Sequence, residues 1–426
     1  MLDSFLMMLV KLAGALMVIA LSIVITRTGG KSAFGIISLS NQILNIALLV
    51  VIHGYSQITT REVSRNREDL GYLSLIYTAL RTTIRKRSVF AWVAMLVITY
   101  PLFRYVFDMG DSYAVFVILS VGFVAQTVSR AYSSFLLGLK KVWQSNLTEQ
   151  TLTSALTLVF MLIYQAFGQP FSLYYLALSY MLSRFLLSVL LGSFLRGLLV
   201  YSKHSDSSEK KHISEFEGYN SKASKLSFLL IAIASYGQGV LNSLILGYTG
   251  TASDVGVFNI IMKIATPIAF ILLSLQRSSM PRIAKFYSDG DVTSIRRLFV
   301  RVGFISALGG VLFFLVVFIW GRQILTIWNI DDTESYQVLL IISLAFLVNA
   351  ATSVAGPVLA MTGEEKIHSR ISIFTLIVQL VSGLYLSIHY GLIGAAVAYL
   401  IVMLTVNLSK VFFVYRKVFS QQSVAS

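Results

Sequence analysis

Twelve runs of apolar residues, almost free of charge, divide the chain: 5–26, 35–59, 89–107, 113–139, 142–166, 172–200, 226–247, 255–280, 302–320, 335–361, 371–388 and 392–415. A helix rises about 1.5 Å per residue, so about twenty apolar residues cross the roughly 30 Å hydrocarbon layer of a bilayer. Strands of a membrane barrel would be about ten residues long and would alternate strictly. These runs do neither. The pattern therefore predicts an all-α polytopic membrane protein with about 12 transmembrane helices. Pro267 in the eighth run and Pro357 in the tenth predict kinks, because proline lacks an N–H and its ring collides with the preceding turn. The first run is too long for the apolar core of a signal peptide, and no small-residue cleavage pattern follows it, so it reads as a retained helix.

The polar positions repeat. Thr28-Gly29-Gly30-Lys31-Ser32-Ala33-Phe34-Gly35 is followed by an apolar run ending at Arg61. Thr249-Gly250-Thr251-Ala252-Ser253-Asp254-Val255-Gly256, an apolar run and Arg282 stand 221 residues further on. Ser112-Tyr113 and Ser335-Tyr336, like Gly168 and Gly391, are 223 apart. A near-constant offset marks an internal repeat. It predicts two homologous six-helix bundles around a central cavity, residues 1–200 and 226–426, the second carrying a short tail. A polar loop, 201–225, links them. Each half has an even number of spans, so the two should be related by an axis along the membrane normal.

Composition sharpens this reading. Hydrophobic residues make up 56% of the chain and charged residues 12%, yet the net charge is +15. Loop arginines and lysines explain it. Of the 34 Lys and Arg, 26 fall at the termini and even-numbered links, and only Arg27, Lys31, Arg104 and Arg322 on the other side. Cytoplasmic loops carry such an excess, so both termini are expected in the cytoplasm, and no nucleic acid is needed to explain the charge. Cysteine is absent, which excludes disulfides and thiolate metal sites. The longest outer link, 321–334, leaves no room for an outer domain. No nucleotide-binding, nucleophile-elbow or metalloprotease motif occurs. His53, His204, His212, His368 and His389 are scattered. No enzyme, cofactor or metal site is expected; a monomeric transporter in a lipid bilayer is.

Ionisable groups inside spans are costly and mark functional sites. Four cations qualify, Lys11, Arg130, Arg184 and Lys263, against a single acid, Glu149. The cations keep polar company at helical spacing. Gln126, Arg130, Ser133 and Ser134 lie along the fourth run, Tyr180, Arg184 and Ser188 along the sixth, and Asn259, Lys263 and Thr266 along the eighth. Asn41 and Asn45 mark the second run; Ser235, Gln238 and Asn242 mark the seventh. Such stripes suit the walls of a water-filled cavity. Lys11 could equally snorkel to the interface. Glu149 could pair with Arg130 as a structural ion pair or carry protons.

Several short motifs carry a family resemblance. They are the Gly-x5-Gly turns opening runs two and eight, Pro281-Arg282-Ile283-Ala284 followed by Asp289-Gly290-Asp291, Trp328-Asn329-Ile330, and Gly391-Leu392-Ile393-Gly394-Ala395-Ala396. With twelve spans in two halves, the chain resembles the multidrug/oligosaccharidyl-lipid/polysaccharide (MOP) exporter superfamily, and within it the O-antigen and capsule repeat-unit flippases. That resemblance implies movement of undecaprenyl-pyrophosphate-linked oligosaccharides across the bacterial cytoplasmic membrane by alternating access. It also implies a polysaccharide polymerase and chain-length machinery as partners. Cation-coupled drug exporters of the superfamily are the alternative. They use membrane-embedded acids, notably in the first span, where this chain has Lys11 and no acid. The residues expected to meet a lipid-linked oligosaccharide are thus Lys11, Arg130, Arg184 and Lys263 for pyrophosphate. Asn41, Asn45, Gln126, Tyr180, Gln238, Asn242 and Asn259 would meet sugar hydroxyls.

Overall fold

A computed structural model describes residues 2–52, 55–147, 151–199, 236–237 and 239–420. Every regular element among them is helical. In chain order they are α1 (Leu2–Ile52), α2 (Tyr55–Arg65), α3 (Leu70–Pro101), α4 (Tyr113–Val121), α5 (Phe123–Gly138), α6 (Val142–Asn146), α7 (Leu152–Ala166) and α8 (Leu173–Leu199). After residues outside the description come α9 (239–249), α10 (Ala252–Ile264), α11 (Thr266–Ser288), α12 (Val292–Thr326), α13 (Thr333–Ala351), α14 (Ala355–Met361) and α15 (Glu365–Val414). Six of the described helices are long and apolar enough to cross a membrane, or seven if α4 and α5 form one bent span. The chain is a multi-pass membrane protein.

Hydropathy marks the membrane slab and not the helix ends, so several runs are portions of longer helices. Run three sits inside a helix that starts at Leu70 and carries Arg81, Arg85, Lys86 and Arg87 on its way into the membrane. Runs one and two share α1, which turns at Gly30 (φ 81°, ψ 172°). Run two covers the end of α1, described to Ile52, and the start of α2, described from Tyr55. Runs eleven and twelve share α15, which turns at Gly391 (φ 54°, ψ −131°). The two prolines sit at breaks: α11 starts beside Pro267, and Pro357 lies in the short α14 that follows the interruption of run ten. Run four also breaks. Its halves, α4 and α5, meet at Gly122 with a bend of 41°.

The chain divides into two compact units, Met1–Ile233 and Ala234–Ser426. Backbone devices recur between them at the spacing of the sequence repeat. Asp108 and Asn329, 221 apart, both take positive φ (50° and 58°), as do Gly168 and Gly391 (69° and 54°). Asp69 caps α3 by accepting from Tyr72 N–H, and Asp291 caps α12 by accepting from Ser294 N–H. The Ser294 hydroxyl and amide hold the Asp291 carboxyl below its usual range. One core in the first unit joins Val63 of α2, Leu80 of α3, Phe135 of α5 and Leu195 of α8. One in the second joins Ile283 of α11, Ile295 of α12, Val358 of α14 and Val406 of α15.

The motifs behind the family resemblance have local reasons. In Trp328-Asn329-Ile330, asparagine takes the left-handed turn it tolerates better than most residues, between two buried anchors. At Gly394, an added Cβ would overlap the Leu386 carbonyl oxygen across the Gly391 turn. Gly394→Ala should therefore force the two halves of α15 apart and cost about 1–3 kcal/mol, the usual range for overpacking. The check is the melting temperature of the purified protein in detergent; an unchanged value would mean that the turn yields freely.

Candidate functional site

In the first unit the structure draws five of the expected residues into two neighbouring sets of polar contacts. The second half of α1 contributes Asn41 and Asn45, one turn apart; α5 contributes Gln126; α8 contributes Tyr180 and Arg184. The Arg184 set centres on the break at Gly122. A Cβ there would stand 3.0 Å from Arg184 Cδ and 3.1 Å from Met181 Cα, so a side chain would push α8 away. The break also ends α4, and the last carbonyls of a helix lack intrahelical partners and carry about half a negative charge. Arg184 meets one of them: its Nη1 donates to the Leu119 carbonyl at 3.1 Å. Its Nη2 donates to Asn41 Oδ1. The guanidinium carbon lies 5.8 Å from the centre of the Tyr180 ring. Beside it, Gln126 Nε2 donates to Asn45 Oδ1 at 3.2 Å.

Arg184 is only 4% exposed. Burying an ion costs several kcal/mol unless its donors are satisfied. Here a carbonyl, a carboxamide and an aromatic face do the satisfying, and none of them cancels the charge. Arg184 Nε and Gln126 Oε1 are buried without a hydrogen-bond partner among the described residues. The two sets thus retain a net positive charge and unused hydrogen-bonding capacity.

Arg130 stands one turn beyond Gln126 on α5 and is exposed. Along that stripe Ser133 is buried, with its Oγ 2.8 Å from that of Ser145 on α6, while Ser134 donates back to the Arg130 carbonyl. Lys11 is half-buried on the first half of α1. One turn later Gly14 lies so close to Thr151 that a Cβ would overlap its hydroxyl. Glu149 and Gln238 lie outside the described residues.

In the second unit, α10 carries Asn259 and Lys263 one turn apart. Asn259 Nδ2 donates to Ser243 Oγ of α9 at 3.1 Å and to the Val255 carbonyl at 2.8 Å. Asn242, next to Ser243, is 2% exposed, and its Oδ1 has no hydrogen-bond partner among the described residues. A Cβ on Gly383 of α15 would come within 3.7 Å of that oxygen. Lys263 is half-buried in the last turn of α10, just before the break into α11. A cation there suits the negative end of the helix dipole, as Arg184 suits the end of α4.

Sequence reasoning missed Gly122 and the Leu119 carbonyl. A glycine within an apolar run is common in membrane helices, and a backbone carbonyl leaves no trace in residue type. Comparisons with known proteins place this architecture. Residues 228–386 match the MatE family model. No curated protein sequence matches the chain. Among solved structures, an inward-facing multidrug resistance MATE transporter of the MOP superfamily aligns with TM-score 0.75 at 13% identity, covering 97% of this chain and 96% of that one. A lipid II flippase, MurJ, in an inward closed conformation aligns with TM-score 0.69 at 10% identity, covering 96% and 87%. The MATE multidrug transporter DinF-BH aligns with TM-score 0.66 at 15% identity, covering 97% and 94%. The fold is that of MOP-superfamily transporters.

Proposed function

We propose that the protein is a flippase that moves undecaprenyl-pyrophosphate-linked oligosaccharide repeat units from the inner to the outer leaflet of the bacterial cytoplasmic membrane by alternating access. The observation that carries this reading is Arg184, a cation within the apolar helices with no acid against it among the described residues. Arg184 is buried among neutral partners. Arg130 and Lys263 add charge on α5 and α10, and Lys11 adds it on the first run, which holds no acid. A pyrophosphate is the complementary head group. Arginine grips it through paired hydrogen bonds, and lysine attracts it as a point charge. Asn41, Asn45, Gln126, Tyr180, Asn242 and Asn259 supply the amides and hydroxyl that sugars require; Gln238 is assigned the same role from the sequence alone. Separated cations also suit turnover, since a single tight cluster would hold the head group and never release it.

A second reading has its own support: the MatE match and the MATE neighbours favour a cation-coupled exporter of organic cations. Positive walls would repel such cargo. The two readings separate in proteoliposomes containing the purified protein. One assay presents a short-chain fluorescent polyprenyl-pyrophosphate oligosaccharide and follows its accessibility to an impermeant reagent. The other presents an organic cation dye under a proton or sodium gradient. Translocation of the pyrophosphate lipid without gradient-driven dye movement is expected. Dye movement without lipid translocation would replace the flippase reading by the exporter.

A further inference from the structure

The outer face of α12 combines guanidinium groups with exposed hydrocarbon in an order that matches one amphiphile. Its inner face is settled: Ile295, Leu298, Phe299 and Val302 pack against the core of the second unit. The opposite face, Arg296, Arg297, Val300, Arg301, Phe304 and Ile305, lines with Thr293 a groove of about 630 Å³. Val300 is 55% exposed and Phe304 70%. Below them Leu308 and Leu312 continue the exposed apolar stripe along the helix. Arginines at the helix start thus stand directly above a ladder of exposed apolar side chains.

Basic residues near a membrane surface attract acidic lipids diffusely, at about 1 kcal/mol each. Three features make this groove more than that. Arg297 and Arg301 are one turn apart, so both can reach a single phosphate, and arginine binds phosphate through two parallel hydrogen bonds. The apolar surface that an acyl chain would cover is continuous with them. The basic cluster is also not repeated at the equivalent positions of the first unit. The positions 222 residues earlier are Ser74, Leu75 and Ala79, and the nearby Arg87 is already engaged over the Tyr55 ring at 4.6 Å. Among the described residues the acid beside these arginines is Asp291, which caps α12 and interacts with Arg297. It offsets part of one charge and leaves the other two.

We propose that this groove binds one acidic phospholipid, its phosphate held by Arg297 and Arg301 with Arg296 alongside, and an acyl chain lying along Val300, Phe304 and Ile305. The site does not depend on what the protein transports. The test is native mass spectrometry of the purified full-length protein, titrated in detergent with phosphatidylglycerol or with phosphatidylcholine. The wild-type protein should retain phosphatidylglycerol at about tenfold lower concentration than phosphatidylcholine, about 1.4 kcal/mol, because both offer a phosphate but the choline cation offsets its charge. The Arg296→Gln/Arg297→Gln/Arg301→Gln protein should lose that preference, and Phe304→Ser should weaken retention of both lipids. Arg85→Gln/Lys86→Gln, which removes two exposed charges from the other unit, should retain it. Equal retention by wild type and triple variant overturns the site. So does an equal loss in the Arg85/Lys86 variant, which would mean diffuse attraction only. If the triple variant is not monodisperse, Arg301→Gln alone decides the matter: a severalfold loss supports the site and no loss overturns it.

Discussion

Replacing Arg184 with Met, or Asn41 with Leu, is expected to destabilise the protein, and making both changes together should restore much of the loss. Arg184→Met leaves the Leu119 carbonyl and Asn41 Oδ1 facing apolar surroundings. An orphaned buried polar group costs about 1–3 kcal/mol. Asn41→Leu does the reverse and strips a buried guanidinium of a neutral partner, which costs more. The double variant removes the mismatch between them, so the coupling energy should be favourable by about 1–3 kcal/mol. Melting temperatures of the four proteins in detergent measure this; strictly additive losses would show that the contact contributes nothing. Transport then separates structure from function. If Arg184 also attracts the head group, the double variant regains stability and not export. Export that returns with stability would make Arg184 a structural post alone. Gly122→Leu offers an independent route to the same state, because the new side chain must displace Arg184.

Much of this was legible in the sequence for one reason: polar atoms are expensive within hydrocarbon, so each one present is conspicuous. Asn41, Asn45, Gln126 and Arg184 stood out on apolar runs before any coordinates, and the structure joins them in pairs. The glycine turns were legible too, since Gly391 and Gly394 answer steric demands no other residue meets. The wiring was not. Adjacent spans pointed to Glu149 beside Arg130, a pairing that lies outside the described residues. The partner of the buried arginine is a backbone carbonyl freed by a break at Gly122, and nothing in the sequence distinguishes that glycine from others inside the apolar runs. Helix length was misread for a related reason. Charge ends a hydropathy run but does not end a helix, and α3 and α12 carry their arginines as ordinary helical residues.

The breaks connect fold to charge. A membrane helix that stops within the bilayer must satisfy its last carbonyls internally. At α4 an arginine from a neighbouring helix does so, and at α10 a lysine lies in the last turn. Arg184 is thereby tolerated in a setting that would otherwise exclude it, with no carboxylate against it among the described residues. Positive potential in the apolar helices follows from the way the chain satisfies its own backbone.

Arg130→Glu should give the opposite profile to Arg184→Met: a protein that inserts and melts normally yet does not export. Arg130 is exposed on α5 and lies outside the buried contacts of Arg184. Surface substitutions away from buried networks usually shift stability by no more than about 0.5 kcal/mol, and Arg130→Gln, which loses the side chain's own interaction without adding an acid, reports how much of any change is structural. For an anionic head group the charge reversal turns attraction into repulsion, and at an effective dielectric of about 20 a contact at 4 Å is worth roughly 4 kcal/mol before screening. A small part of that suffices to lower export at least about tenfold, the equivalent of 1.4 kcal/mol. Arg130→Lys keeps the charge and loses the paired hydrogen bonds, so it should retain part of the activity. Lys263→Glu on α10 should fail in the same way, through the other unit. The measurement is surface polysaccharide in a strain that depends on the variant, with membrane levels followed in the same cells. Normal export by both Arg130→Glu and Lys263→Glu at wild-type levels would mean that these cations do not meet the substrate, and the cationic mechanism would fall with them.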